Sequence, residues 1–148
     1  MKIVLSIWHI ADKGKTETLR ELAKLFLTTY PDYRSIFPIP TIVPDSEDFR
    51  LVIEINGKII GIESQGDPTT NLENRLIELA DTFNCEIIIC SSRTRGDTIF
   101  AVDNLSETRG FQTIWTSTYQ IADKTLHKFV NELKAKHVLD LLQGLGLI

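Results

Sequence analysis

Residues 2–8, Lys-Ile-Val-Leu-Ser-Ile-Trp, form a nearly unbroken apolar run, and this run limits the fold more than any other stretch. A strand with one wet face alternates apolar and polar residues. One that is apolar at almost every step belongs to a strand covered on both sides. A polar turn follows at residues 9–14, then a segment with Leu19, Leu22, Ala23 and Phe26 at helical spacing. A doubly covered strand that leads through a turn into a helix points to an α/β architecture.

The rest of the chain continues the alternation. The first helix is predicted over 15–29, ended before Pro31. Residues 31–48 hold all but one of the five prolines and close on Asp45, Ser46, Glu47 and Asp48. That composition predicts an extended, irregular connection with a short edge strand at 36–43. Residues 49–55 and 58–64 are β-rich runs separated by Asn56-Gly57, a hairpin signal because both turn residues need positive φ. Residues 64–68 read as a loop. Residues 70–82 read as a helix with Leu72, Leu76, Leu79, Ala80 and Phe83 inward. A short apolar strand at 86–90, a polar loop at 91–97, a third helix at 97–108 and a strand at 112–116 follow. The last helix, about 123–143, places Leu126, Phe129, Val130, Leu133, Val138, Leu141 and Leu142 on one stripe, with Gly144 past its end. The order βα(ββ)αβαβα predicts an α/β three-layer sandwich. Its mostly parallel five-stranded sheet has one antiparallel edge strand. At 148 residues the chain reads as one domain, 1–148.

Composition bounds the function classes. An apolar share of 43% and a charged share of 24% are those of a soluble globular protein. A net charge of −4 argues against a general nucleic-acid binder, whose affinity comes from phosphate neutralisation, and leaves room for a local basic site. Cys85 and Cys90 complete no zinc spacing and read as reduced, buried thiols of a cytoplasmic protein. No apolar stretch reaches the roughly 18 residues of a membrane span, so no membrane partner is expected. The N-terminus faintly resembles a signal peptide, but His9 stands where a small residue should precede cleavage, and Asp12 and Lys13 follow at once. A buried first strand explains it better.

Residues 9–16, His-Ile-Ala-Asp-Lys-Gly-Lys-Thr, have the layout of a phosphate-binding loop between strand and helix. In such a loop the backbone N–H groups of Asp12, Lys13 and Gly14 and the helix N-terminus surround a β-phosphate. Lys15 spans the β- and γ-phosphates, and Thr16 Oγ1 ligates Mg²⁺. An ordinary polar turn gives no reason for Lys15, which opposes the helix dipole in the first turn. His9 occupies the place of the first glycine, where no side chain should stand near the phosphates. It predicts a distorted loop, lower affinity, an imidazole turned away under the sheet edge, or a catalytic histidine. Two further segments lie at strand ends expected on the same side: Glu63-Ser64-Gln65-Gly66, and Ser92-Arg93-Thr94-Arg95-Gly96. Arg93 and Arg95 there suit neutralising γ-phosphate charge or gripping an anionic second substrate, or are simply solvated. Residues 116–118 suit lining a base pocket. His127 and His137 read as surface groups.

Together, Gly14-Lys15-Thr16, the hairpin and Glu63-x-x-Gly66 resemble the P-loop NTPase superfamily. More narrowly, they are similar to small uncharacterised bacterial P-loop proteins with a degenerate Walker A motif, a Gly-Asp-Pro turn after the third strand and an Arg-Thr-Arg/Lys-Gly loop after the fourth. The resemblance implies a P-loop NTPase-like fold, ATP or another nucleoside triphosphate, and Mg²⁺. NTP hydrolysis or phosphoryl transfer would follow, to a second substrate or protein partner that the motifs do not identify. In GTPase-like members the place of Glu63 carries the aspartate of Asp-x-x-Gly. Glu63 is therefore a metal and catalytic candidate, Gly66 a γ-phosphate contact and Gln65 a candidate to orient water; the alternative is a strand-end glutamate facing water. The guanine-reading Asn/Thr-Lys-x-Asp is absent, which favours adenine or weak base discrimination. Two other readings remain. One is a non-catalytic nucleotide-binding or interaction domain, with the tail Leu145-Gly146-Leu147-Ile148 as a contact patch. The other is a metal-dependent nuclease of the restriction-endonuclease type, with Pro44-Asp45 before the hairpin and Glu63-Ser64-Gln65 on its second strand holding a metal.

Overall fold

The computed structural model describes residues 1–10 and 14–148. Its elements run β1 (Ile3–Trp8), α1 (Lys15–Thr29), β2 (Arg34–Phe37), β3 (Arg50–Ile55), β4 (Lys58–Glu63), α2 (Leu72–Asp81), β5 (Ile87–Ser92), α3 (Asp97–Arg109), β6 (Gln112–Thr116) and α4 (His127–Gly144). The strands form one sheet in the order β2-β3-β4-β5-β1-β6. β1 lies inside it, parallel to β5 from Ile3↔Ile87 to Trp8↔Ser92 and parallel to β6 from Ile3↔Gln112 to Ile7↔Thr116.

Side-chain alternation divides every central strand between two cores. Ile3, Leu5, Ile7, Ile87 and Ile89 face Leu19, Leu22 and Phe26 of α1 and Val138, Leu139 and Leu142 of α4. Val4, Ile88 and Cys90 face Leu72, Leu76 and Leu79 of α2 and Val102 and Leu105 of α3. Burying each such aliphatic or aromatic side chain contributes roughly 1.5–3 kcal/mol, which explains why β1 is apolar on both faces. The mixed α/β sheet with helices on both sides is thus the one its strand pattern requires.

Two features of the predicted sheet are corrected. Among the described residues there are six strands, not five, because Arg34–Phe37 pairs antiparallel with β3 through Arg34↔Glu54. That strand starts before the expected 36–43 and stops at Phe37. Pro38 and Pro40 follow it, and proline has no N–H to donate to a ladder. The antiparallel strand is also not at the edge: β3 runs against its neighbours between β2 and β4. The β3–β4 hairpin turns at Asn56 and Gly57, with φ of 51° and 79°, as its sequence demands.

Two boundaries move as well. β5 runs on through Ser91 and Ser92, which pair with Ile7 and Trp8; there the buried Ser6 and Ser92 hydroxyls satisfy each other at 2.8 Å. α4 starts at His127, after a single 3₁₀ turn at Lys124–Leu126. Its expected stripe divides. Val138 and Leu142 point inward, whereas Leu126, Phe129, Leu133 and Leu141 are exposed. Phe129 and Leu133 stand nine residues before Val138 and Leu142, about half a turn out of phase. Among the described residues no helix is long and apolar enough to cross a membrane.

Candidate functional site

β1, β4, β5 and β6 end at one edge of the sheet. Because β3 runs the other way, its first residues arrive at that same edge. A cleft of about 290 Å³ opens there, lined among others by Gly14, Lys15, Thr16, Asp48, Ser64, Gly66 and Asp67. Its lining of hydroxyls, carboxylates and one ammonium suits a small charged ligand and offers little to an apolar one.

Gly14 caps α1 in the left-handed region, φ 77° and ψ 15°, and its carbonyl accepts from Thr18 N at 2.9 Å. Any side chain there would be strained, and its Cβ would lie 2.9 Å from Asn131 Oδ1 on α4. Lys15 is 7% exposed although it begins a helix. Its Nζ turns back over the sheet edge to donate to the carbonyls of His9 (3.2 Å) and Ser92 (3.1 Å), at the ends of β1 and β5. His9 Nδ1 accepts from the amide of Ile10 at 2.9 Å, so the imidazole is folded onto its own turn. Asp12 and Lys13 lie outside the described residues.

Asp48 is a cleft residue that the motifs did not single out. Its Oδ1 accepts from Thr16 Oγ1 at 3.3 Å and from Ser64 Oγ at 2.9 Å. Ser64 Oγ in turn accepts from the amide of Phe49 at 2.7 Å. Arg20, 2% exposed, secures the segment before it. Its guanidinium donates to Glu17 at 2.6 Å and to the carbonyls of Glu47 (2.7 Å) and Pro44, above the Phe49 ring. The signal was present in the hairpin. Pairing of Ile55 with Lys58 and of Arg50 with Glu63 counts Asp48 back to the level of Ser64 and Gln65.

Glu63, 1% exposed, sits elsewhere. Arg50 Nε donates to one carboxylate oxygen at 2.8 Å and Arg75 Nη1 to the other at 3.0 Å. Burial lifts its carboxyl above the ordinary range, while the two guanidiniums pull the other way. Arg50 also pairs with Glu78 at 2.8 Å. Asp45, the other carboxylate of the nuclease reading, is exposed beside Lys24 at 3.7 Å. Gly66 has no room for a side chain, since a Cβ would come within 2.0 Å of the Ser91 carbonyl oxygen. Gln65 Oε1 is buried with no hydrogen-bond partner among the described residues. Arg93 donates to Asp67 at 3.0 Å, at the rim of the cleft, and Arg95 is exposed.

Beyond Gly14 a second cleft, about 240 Å³, is lined by Tyr119, Gln120, Ile121, Val130 and Asn131 among others. At the end of β6 next to it, Lys134 Nζ donates to Thr116 Oγ1 at 2.6 Å and lies 4.8 Å from the centre of the Tyr119 ring. Burial holds that amine below its ordinary pKa. Cys85 and Cys90 are free and buried, far from reactive, as burial pushes both thiols up to about 12.

Fold and cleft define an α/β protein with a polar cleft at the carboxyl ends of parallel strands. Comparison with protein-family models, with curated proteins and with solved structures returns no match.

Proposed function

We propose that the cleft binds the phosphates of a nucleoside triphosphate, ATP before GTP, together with Mg²⁺. The observation that carries this reading is Lys15. A lysine in the first turn of a helix, against the dipole, is held almost fully buried at the floor of a polar cleft. Phosphate oxygens are the ligand for which such an ammonium, at the positive end of a helix dipole, is well arranged. Gly66 lines the same cleft, its bare Cα packed against the Ser91 backbone. The second cleft, meeting the first at Gly14, would take the rest of the nucleotide.

Thr16 and Asp48 fit a divalent cation, as a hydroxyl and a carboxylate that already converge on one point of the cleft. Glu63 fits it less well with both oxygens taken by arginines. When bound, the cation would supply positive charge against the phosphates. Lys15 would hold the phosphates, Thr16 and Asp48 would hold the cation, and Arg93 would stand at the rim for an anionic second substrate.

Calorimetric titration with ATP and Mg²⁺ tests the reading. Lys15→Ala should remove a charge-assisted contact of about 1.5–3 kcal/mol and lower affinity roughly 10- to 150-fold. Equal binding by both proteins, or binding by neither, would end it. Phosphate release measured on the same samples separates an NTPase from a nucleotide-binding module that does not turn over.

A further inference from the structure

The outward side of α4 carries two rows at four-residue spacing. One is apolar except for its third member: Phe129 (59% exposed), Leu133 (36%), His137 and Leu141 (40%). Beside it runs Lys128, Glu132, Lys136 and Asp140, all exposed, alternating plus, minus, plus, minus. Rows at this spacing are the ridges by which helices interdigitate. An apolar ridge left outside the core is a contact surface without its partner.

The charged row is its own complement when reversed. An antiparallel copy sets Lys128 against Asp140 and Glu132 against Lys136, twice over. Moving the axis by one residue, to 135, sets Phe129 against Leu141 and Leu133 against His137. Both rows centre within one residue of each other, at 134 and 135. In a parallel copy the row would lie on opposite flanks of the pair and meet no complement. We propose that two copies of this chain associate through antiparallel packing of α4 on α4, about a two-fold axis near residues 134–135. The pairing is isologous, so it closes as a dimer. Pairs within the helix, Lys136 with Asp140 at 2.9 Å and Lys128 with Glu132 at 3.8 Å, are exposed and of small net worth. They put up little resistance to exchange across the interface. One face of an 18-residue helix, roughly 27 Å long, is smaller than a standard interface, so the dimer is micromolar rather than nanomolar. The proposal is independent of the nucleotide reading.

Sedimentation equilibrium up to about 200 μM, well above a micromolar dissociation constant, reads the dimer directly. Wild type should dimerise, and Leu133→Glu should weaken association about tenfold or more. The decisive test uses two charge variants. Lys128→Glu with Lys136→Glu makes the row all acidic, and Glu132→Lys with Asp140→Lys makes it all basic. Each alone should be monomeric, and their equimolar mixture should dimerise. A monomeric wild type, charge variants that each self-associate like wild type, or a mixture that stays monomeric would overturn the proposal. Circular dichroism checks that each variant is folded. If a double variant is not, Lys136→Glu mixed with Glu132→Lys carries the same readout.

Discussion

Thr16 Oγ1 donates to Asp48 Oδ1 at 3.3 Å, joining the first turn of α1 to the residue just ahead of Phe49 and β3. Residues 32 positions apart thereby face one cleft. If they share a cation, Asp48→Asn should lower affinity for ATP with Mg²⁺ about tenfold and leave metal-free binding unchanged. Titrations with and without a chelator make the comparison. An equal loss in both would place Asp48 outside the cation's reach.

Glu63 serves the fold in this arrangement. Glu63→Ala leaves the Arg50 guanidinium, 12% exposed, without one of its two carboxylates. Breaking a buried pair costs about 3 kcal/mol at the low end of the usual range. The low end applies because Arg75 is over a third exposed and Arg50 keeps Glu78. Urea denaturation measures it. A variant of wild-type stability that has lost Mg²⁺-dependent activity would return Glu63 to the metal role.

Gly66→Ala forces a Cβ to within 2.0 Å of a backbone oxygen of β5. The chain must shift, at a cost of about 1–3 kcal/mol, and the cleft shifts with it. Gly144→Ala, in open space at the end of α4, should instead be neutral or stabilising by up to about 1 kcal/mol. Thermal melts of the two variants should therefore move apart.

The two thiols make stability fall with rising pH in alkali. Their folded pKa of about 12 lies above the ordinary 9.0. Between those values the unfolded chain loses protons that the folded chain keeps, so unfolding is favoured as pH rises from about 9 towards about 12. Each thiol contributes up to about 1.4 kcal/mol per pH unit in that window. Lysines and tyrosines titrate there too, and a Cys85→Ala, Cys90→Ala variant removes only the thiol part. Urea melts of both proteins at several alkaline pH values should show a shallower fall in the variant.

The legible parts were local. β1 announced its double burial by its own residues, the hairpin by Asn56-Gly57, and α1 by its period. The same hairpin held more than its turn. Counting back from Ile55↔Lys58 reaches both the Arg50–Glu63 pair and Asp48. Arg75, the second partner of Glu63, could not be counted to, since it arrives on α2. The α4 stripe misled because its apolar residues occur at two phases, and only the neighbours decide which phase is covered.

From the amino-acid order alone came the alternation of strands and helices, the glycine-lysine-threonine turn ahead of the first helix, and the hairpin. These rest on period and turn chemistry, which act between residues a few positions apart. Tertiary structure decided the rest. It put β3 inside the sheet, gave Glu63 to two arginines, brought Asp48 to Thr16, and left one face of α4 outside. Each outcome depends on which distant group arrives to pair with a charge or cover an apolar face. That is settled only when the elements pack.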